Sequence, residues 1–141
     1  MDSNKLWEDA IVGECVFNWD NCEYTINYGV KIQRDLRTGE LNFWNTRIGS
    51  DFYKKLTTSQ MLNMYKFGFK IGARLVAIET MVGQVEKVNK TIRDTKREKT
   101  VKDYTANRTS MLRRIHEYSA QIKKLDGYNE EVESVIKNIL C

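Results

Sequence analysis

The chain has 141 residues, of which 41% are hydrophobic and 30% are charged, and a formal net charge of +4. This length fits one domain, and the composition is typical of a folded protein and argues against disorder. Three cysteines without metal-ligand spacing, and no apolar run near the roughly 18 residues of a membrane span, favour a soluble cytoplasmic protein. We therefore expect a single α+β domain over residues 1–141 that has no membrane contact.

A short amphipathic segment precedes the first strand pattern. Residues 2–10 are predicted to form a helix with Ser3 as its N-cap, or a loose tail. Leu6 and Trp7 are the large apolar side chains near the middle of this segment. Because such side chains favour burial, we expect at least one of them to contact the body of the domain.

Three stretches of the following chain alternate apolar and polar residues, as β-strands with one buried face do. They cover residues 15–19, 24–33 and 41–46. Asp20-Asn21 is a two-residue turn signal and residues 35–40 contain Gly39, so the short connections predict a three-stranded antiparallel meander. The face expected to form the core carries Tyr24, Ile26, Tyr28, Val30 and Ile32.

A long helix is predicted to cover the apolar face of this meander. Thr57 and Gln60 have the spacing of a capping box, and apolar residues follow at once. Between residues 61 and 71 they occur on more than one side of the helix, which predicts burial on more than one side. Gly68 and Gly72 lie one turn apart, a spacing that permits another backbone to approach closely.

The helix is predicted to leave the sheet as a projecting helical arm over about residues 75–126, whose apolar residues form two seams. The first seam contains Leu75, Ile78, Val82, Val85 and Ile92, with Asn89 in its gap. The second contains Val101, Tyr104, Met111, Ile115, Tyr118, Ile122 and Leu125, with Arg108 in its gap. Because the two seams are out of phase, one straight helix cannot keep both of them on one face.

Two arrangements reconcile the seams. A turn between Arg93 and Thr100 gives an antiparallel helical hairpin, with Thr95 or Thr100 as the N-cap of its second helix. The alternative is a kinked, nearly continuous helix that pairs with another chain, since residues 84–126 contain no Gly or Pro. The seams offer more apolar area than a small sheet covers, so we expect a homo-oligomer, most simply a dimer, through the helical arm.

A short amphipathic helix is predicted to close the chain. Residues 126–128 interrupt the helical arm, and Asn129 is a good N-cap for the segment that follows. Glu130 and Glu131 suit the first turn because the helix dipole favours negative charge there. The apolar face of residues 132–140 must then dock on this chain or on a partner.

The net charge is distributed unevenly along the chain. Residues 87–124 carry 12 Lys and Arg against 4 Asp and Glu, or +8, which leaves 11 against 15, or −4, for the rest. Solvated helix faces often carry such charges, and the same layout suits an anionic ligand. The helical arm is therefore predicted to be basic and to face solvent.

Candidate binding residues combine this basic segment with the aromatic sheet. They are Lys90, Arg93, Arg97, Arg113, Arg114, Arg47 and Trp44. The first three follow helical spacing and form one stripe. In a hairpin the adjacent arginine pair would lie close to the earlier part of the first helix, so that charges from both helices frame one groove, which dimerisation would double. Arg forms bidentate contacts with phosphate and aromatic rings stack on bases, so the expected partner is a nucleotide-type ligand or nucleic acid.

These residues are not accompanied by a catalytic or metal-binding signature. His116 lacks the second histidine of a zinc-protease motif, and the segment around Gly68 is too hydrophobic for a phosphate-binding loop. Cys15 and Cys22 do not face one another across the predicted strands. We therefore predict no catalytic residue, no metal ligand and no cofactor.

Three function classes follow from these patterns. The first is a non-catalytic oligomeric binding protein that recognises an anionic partner through a basic arm and an aromatic sheet. The second is a small protein–protein inhibitor or adaptor; many Lys, Asn and Ile residues suggest an AT-rich genome, such as that of a virus or mobile element acting on a host protein. An enzyme without a recognisable motif is the third and is disfavoured. Steep salt dependence of binding distinguishes the first class from the second.

Overall fold

The computed structural model describes residues 3–46 and 54–141 and shows an α+β fold. The helices are α1 (Ser3–Ile11), α2 (Thr58–Phe67), α3 (Phe69–Asp94), α4 (Glu98–Lys123) and α5 (Glu130–Leu140). The strands are β1 (Phe17–Trp19), β2 (Cys22–Asn27), β3 (Val30–Asp35), β4 (Leu41–Asn45) and β5 (Lys54–Lys55), in an antiparallel sheet of order β1-β2-β3-β4-β5. The predicted fold class is confirmed, with five strands in the meander instead of three.

The meander has an additional turn within residues 24–33, which were predicted to form one continuous strand. Tyr28 and Gly29 form a two-residue turn, with φ of 55° and 78°, that pairs Asn27 with Val30. The prediction of a single strand is therefore wrong, because a two-residue turn with positive φ at both positions gives a tight hairpin. Tyr24 consequently pairs with Gln33 and lies on the opposite face of the sheet from Val30.

The inner face of the sheet forms the first hydrophobic core. Val30, Ile32 and Phe43 are buried there against helices α1, α2 and α3. Leu6 and Trp7 dock from α1, which confirms the expected contact of the N-terminal helix with the domain. Among the described elements, helices therefore pack on one side of the sheet only. The other side carries Tyr24 and Trp44.

The predicted long helix begins as expected and then breaks at Gly68. Thr57 and Gln60 form the capping box, with backbone-to-side-chain hydrogen bonds of 3.0 and 3.2 Å. Gly68 ends α2 at φ 93°, and the carboxylate of Asp9 accepts a 3.1 Å hydrogen bond from the backbone N–H of Phe69, the first residue of α3. A side chain 60 residues away thus caps α3, which the local sequence could not indicate.

The two helices on either side of this break pack closely at Gly72. A Cβ atom at Gly72 would lie 2.5 Å from Cγ and 2.7 Å from Cα of Met64 in α2. The close approach that the glycine spacing permits therefore takes place, and α2 is the element that approaches. Residues 71–78 of α3 are all buried. Within residues 61–71, where burial on more than one side was predicted, Met64, Phe69 and Ile71 are buried but Leu62 is exposed.

The helical hairpin is the arrangement that the helical arm adopts. Residues 95–97 connect the antiparallel helices α3 and α4, so the kinked continuous helix is wrong. The N-cap of α4 is Arg97, and no described side chain caps it, so the caps predicted at Thr95 and Thr100 are also wrong. The first seam from Leu75 to Val85 and the second seam from Ile115 to Leu125 form the second hydrophobic core together with α5, whereas Tyr104, farther along the hairpin, is exposed.

The closing helix α5 docks on this second core. Asn129 is its N-cap and accepts a 3.0 Å hydrogen bond from the backbone N–H of Val132, as predicted. Val132 and Ile136 are buried against α3 and α4. The α5 helix covers the part of the seams that lies in this core. The dimer stays a prediction to be tested by light scattering.

Candidate nucleic-acid interface

Two side-chain hydrogen bonds across the hairpin define how its basic residues are aligned. Arg108 Nη1 donates to Asn89 Oδ1 at 2.8 Å, and Arg74 Nε donates to Gln121 Oε1 at 3.0 Å. These contacts place residue 114 of α4 level with residues 81–84 of α3, about 12 Å before Lys90 along the axis at 1.5 Å per residue. The register therefore sets the spacing between the cations of the two helices.

Lys90, Arg93 and Arg97 occupy the distal part of the helical arm. All three side chains are exposed, and the first two follow one helical stripe of α3. Arg97 lies at the start of α4, beyond the end of the α3 stripe. With Arg114 level with the middle of α3, these cations are distributed over about 20 Å of the helical arm.

Arg113 and Arg114 do not act as a pair in this geometry. Adjacent residues on a helix project about 100° apart, and only Arg114 lines the shallow groove between the two helices. The cation beside Arg114 in that groove is Lys87 of α3, whereas Lys90 and Arg93 do not line it. The groove that both helices line therefore contains Lys87 and Arg114, and not Lys90, Arg93 or Arg113.

Lys87 is a residue that the sequence reasoning missed. Its position in the charged segment 87–124 gave a signal, but its neighbour across the hairpin depends on the helix register. That register is visible in the two seam gaps, Asn89 and Arg108, which hydrogen-bond to each other. Aligning the gaps places Lys87 level with Ser110, about one helical turn from Arg114.

The ion pairs of the described residues lie outside the basic segment. Arg34 pairs with Glu23 on the inner side of the sheet, with Nε 2.9 Å from the carboxylate oxygen, and Lys66 of α2 pairs with Glu131 of α5. Among residues 87–124, Arg108 has its partner in Asn89, and the other 11 Lys and Arg side chains are exposed. The positive charge of this segment is thus available to an anionic partner.

The outer side of the sheet, called here the aromatic face, carries Phe17, Trp19, Tyr24, Lys31 and Trp44. Phe17 stacks on Tyr24 with ring centroids 5.3 Å apart. The Lys31 ammonium lies 4.5 Å from the Tyr24 ring centroid and 5.3 Å from that of Trp44. Trp19 is 74% exposed and Phe17 is 49% exposed, so aromatic carbon and positive charge meet on a solvent-facing surface.

Three of the residues predicted to belong to the sheet or its ends are Tyr24, Trp44 and Arg47, and the structure describes the first two of them. Tyr24 was expected in the core, but it lies half-buried on the aromatic face because of the turn at Tyr28-Gly29. Trp44 is on the aromatic face, half-buried, as its predicted strand position implies. Arg47 lies outside the described residues, so the structure gives it no place.

Arg74 is a cation that the fold uses internally. Its side chain is only 8% exposed and donates to the Tyr28 hydroxyl at 2.7 Å and to the Lys70 carbonyl at 2.9 Å. The guanidinium also lies 4.0 Å from the Tyr28 ring centroid, and Tyr28 contacts Tyr118 edge-to-face. Arg74 therefore joins the β2–β3 turn to α3 and α4 and is not part of a ligand surface.

The described residues contain neither a metal-binding cluster nor a membrane-spanning helix. Over residues 3–46 and 54–141, His, Cys, Asp and Glu side chains do not gather into groups of three that could hold a metal ion. Cys15, Cys22 and Cys141 are free thiols. None of the helices in this part of the chain combines the length and apolarity that crossing a membrane requires.

Comparison of the chain with protein-family models, with curated proteins and with solved structures returned no match. Any function must therefore be argued from the two surfaces described above. They are the basic helical arm, with the cations of residues 87–124, and the aromatic face of the sheet.

Proposed function

We propose that the protein is a non-catalytic binding protein for nucleic acid, whose phosphate backbone it contacts along the helical arm. The observation that supports this proposal is the excess of 12 Lys and Arg over 4 Asp and Glu in residues 87–124. Lys and Arg that neutralise phosphates release counterions, which supplies most of the free energy of sequence-independent binding. Exposed cations without ion-pair partners are suited to this role.

The spacing of the cations favours an extended polyanion over a small nucleotide. Arg114, Lys90 and Arg97 are distributed over about 20 Å, whereas a nucleotide-binding site encloses its ligand in a pocket. Phosphates of one strand of a duplex rise by about 3.4 Å along the helix axis, so about six of them match this length. A nucleic-acid backbone can therefore contact the separate cations in turn.

Fluorescence anisotropy of labelled oligonucleotides at several salt concentrations tests this proposal. We expect binding that weakens steeply with salt, with a log–log slope of about −3 to −4 for roughly five phosphate contacts. The double variant Arg93→Gln/Arg97→Gln should weaken binding to every sequence and make the slope shallower by about 2. Binding that does not respond to salt would contradict the proposal.

A matched control removes two charges elsewhere. Lys70 at the start of α3 and Lys137 at the end of α5 are exposed and lie outside the basic segment. The variant Lys70→Gln/Lys137→Gln has the same net charge as the arm variant, so it should bind almost as the wild-type protein does. Equal losses in the two variants would indicate that only net charge matters. Thermal stabilisation by mononucleotides or cyclic dinucleotides would instead favour a small anionic ligand.

A second candidate function is that of a protein–protein adaptor or inhibitor. It is favoured by β1, an edge strand with three exposed residues, of which Trp19 is the most exposed. Edge strands offer unpaired backbone groups, and exposed aromatic residues often dominate protein interfaces. A partner that co-purifies with the wild type and with Leu62→Ser, an exposed site on α2, but not with Trp19→Ser would support this candidate.

A further inference from the structure

The aromatic face has an order that follows from the strand register. Phe17 is directly opposite Tyr24, Lys31 is directly opposite Trp44, and Trp44 is directly opposite Lys55. Directly opposite side chains project from the same side of a sheet, so these five residues share one face. Phe17 and Tyr24 form one row, and Lys31, Trp44 and Lys55 form a second row two residues farther along the strands, in which Ile26 is the residue of β2 opposite Lys31.

The position of Lys31 connects the two aromatic groups. Its ammonium is within cation–π distance of both Tyr24 and Trp44, at 4.5 and 5.3 Å from the ring centroids. This contact holds the charge at the level of the rings. A phosphate that approaches Lys31 therefore brings its attached base close to a ring.

We propose that the aromatic face binds unpaired bases by stacking, so that the preferred nucleic acid is single-stranded. This inference rests on the proposed function and adds the site and the class of nucleic acid. Bases of a duplex are stacked on one another and show only their edges, whereas unpaired bases present their faces to aromatic side chains. Lys31 and Lys55 supply the opposite charge for the phosphates between the stacked bases.

The dimensions of the aromatic face agree with this occupant. Phe17 on β1 and Trp44 on β4 are three strand spacings of about 4.8 Å apart across the sheet and two residues apart along the strands, which gives about 16 Å. Single-strand-binding sheets stack two or three bases over such a distance. Trp19, which follows Phe17 on the same face of β1, extends the surface at its open edge.

Charge complementarity distinguishes this occupant from an apolar one. A second copy of the chain would bring the same lysines opposite each other, and like charges disfavour such a contact. A peptide with an apolar face would leave the Lys31 ammonium without an anionic partner from the ligand. A second copy on this face is one of the outcomes that the experiment distinguishes.

The test compares a labelled single-stranded oligonucleotide of about 15 nucleotides with a duplex of the same sequence. The wild-type protein is expected to bind the single strand more tightly. Trp44→Leu should weaken single-strand binding by about tenfold or more and leave duplex binding almost unchanged, whereas Trp44→Phe should retain most of the affinity because it keeps an aromatic ring. Circular dichroism melting of each variant verifies that it folds.

Adjacent lysines on β5 provide a matched pair for the charge. Lys55 is opposite Trp44 on the aromatic face, and Lys54 is opposite Asn45 on the other face. Lys55→Gln should weaken single-strand binding more than Lys54→Gln does, although both remove one positive charge. Equal effects of the two changes would contradict a specific role of this face.

Quenching of tryptophan fluorescence reports contact between a base and an indole ring, which a general loss of stability does not change in the same way. Trp7 is buried at 1% exposure, so Trp19 and Trp44 are the indoles that bases can reach. Adding the unlabelled single strand should quench the wild-type emission, and the quenching should decrease in Trp44→Phe. Quenching of equal size in the wild type and the variant would overturn the assignment to Trp44.

The outcomes for the two proposals are separate. If Arg93→Gln/Arg97→Gln weakens binding while Trp44→Leu binds both nucleic acids normally, the stacking site is wrong and the proposed function stands. If the wild type binds neither nucleic acid, the proposed function itself is wrong. If Trp44→Leu converts a dimer to a monomer in light scattering, a second copy covers the aromatic face and the stacking proposal is overturned.

Discussion

Asn89 and Arg108 meet between the two long helices, where Arg108 Nη1 donates a 2.8 Å hydrogen bond to Asn89 Oδ1. Each is the one polar residue in the gap of an otherwise apolar seam. Polar residues at such positions specify the register of paired helices, because a shifted register leaves a polar group without a partner. The alignment of α3 with α4, and hence of their cations, depends on this contact.

The first prediction concerns the coupling between these two residues. Asn89→Ala and Arg108→Ala should each destabilise the protein, and the double variant should cost less than their sum by about 1 kcal/mol, as for a typical intramolecular hydrogen bond. Urea unfolding of the four proteins measures this. Lys90→Ala in place of Asn89→Ala is the control, since Lys90 is exposed. Strictly additive losses would show that the contact does not contribute to stability.

A second prediction tests the cap that α1 provides for α3. Asp9→Ala removes the acceptor of the Phe69 N–H and a negative charge at the N-terminus of α3, so it should lower the free energy of unfolding by about 1 kcal/mol. Glu8→Ala is the control, because Glu8 is the exposed neighbouring carboxylate of the same helix. Chemical denaturation at neutral pH compares them, and equal losses would argue against the cap.

Two glycines of α3 are expected to respond in opposite directions. Gly72→Ala places a methyl group 2.5 Å from Met64 Cγ, so α2 must move away and the protein should lose about 1–3 kcal/mol. Gly83→Ala meets no atom within 4 Å and should stabilise the helix by about 0.5–1 kcal/mol. Thermal melting of the two variants gives the signs. A neutral Gly72→Ala would mean that α2 is not held closely against α3.

The contact between Tyr128 and Glu133 predicts a pH dependence of stability. The Tyr128 hydroxyl donates to the Glu133 carboxylate, which lowers the pKa of Glu133 from its usual 4.5, and Lys123 and Lys137 act in the same direction. The same hydrogen bond, with burial and the charge of Glu133, raises the pKa of Tyr128 above 10.0. A lowered carboxyl pKa adds stability above pH 4.5 that is lost as the pH falls, and a raised phenol pKa adds stability below pH 10.0 that is lost as the pH rises.

The variant Tyr128→Phe tests this window. It should melt at a lower temperature than the wild type at neutral pH, and the difference should shrink as the pH falls below 4.5 or rises above 10.0. Tyr65→Phe is a control with the same chemical change on α2, where the hydroxyl lies 3.1 Å from that of Ser3 and contacts no carboxylate in the described contacts. A difference that is constant with pH would contradict the pairing of Tyr128 with Glu133.

The distal end of the hairpin should contribute to binding more than to stability. Lys96, Arg97 and Lys99 are exposed, and exposed charges add little to the free energy of unfolding. The triple change to Gln should therefore leave the melting temperature nearly unchanged and weaken salt-dependent binding of oligonucleotides. If this variant unfolds, the segment is structural and the solvent-facing interpretation is wrong.

Alternation of apolar and polar residues predicted the faces of some strands of the meander correctly and those of others wrongly. Alternation placed Phe43 on the inner face and Trp44 on the outer face correctly, since the turn over residues 35–40 has ordinary turn residues. Alternation failed at Tyr28-Gly29, because an aromatic residue at positive φ is an uncommon start for a tight turn. Arg74, which is distant in sequence, contacts both the hydroxyl and the ring of Tyr28 there.

The candidate surfaces were predictable to different extents. The basic character of residues 87–124 depends on composition alone and needs no three-dimensional information. Predicting that Lys87 and Arg114 line one groove requires the register of the hairpin. Predicting the contact of Lys31 with Tyr24 requires the strand register that follows from the turn at Tyr28-Gly29. Both registers are tertiary properties, so single-sequence periodicity identified the residue types but not their neighbours.

The helix α3 belongs to both hydrophobic cores at its beginning and extends toward solvent at its end. Its backbone amides should therefore exchange with solvent deuterium at very different rates. Amides of residues 71–78 can exchange only when the whole domain opens, because both cores must separate first. Amides near Asp94 need only fraying of the hairpin end. One continuous helix should thus show a gradient from the slowest exchange in the protein to nearly unprotected exchange. Because the hairpin end opens independently, it can adjust to a ligand without disturbing the sheet.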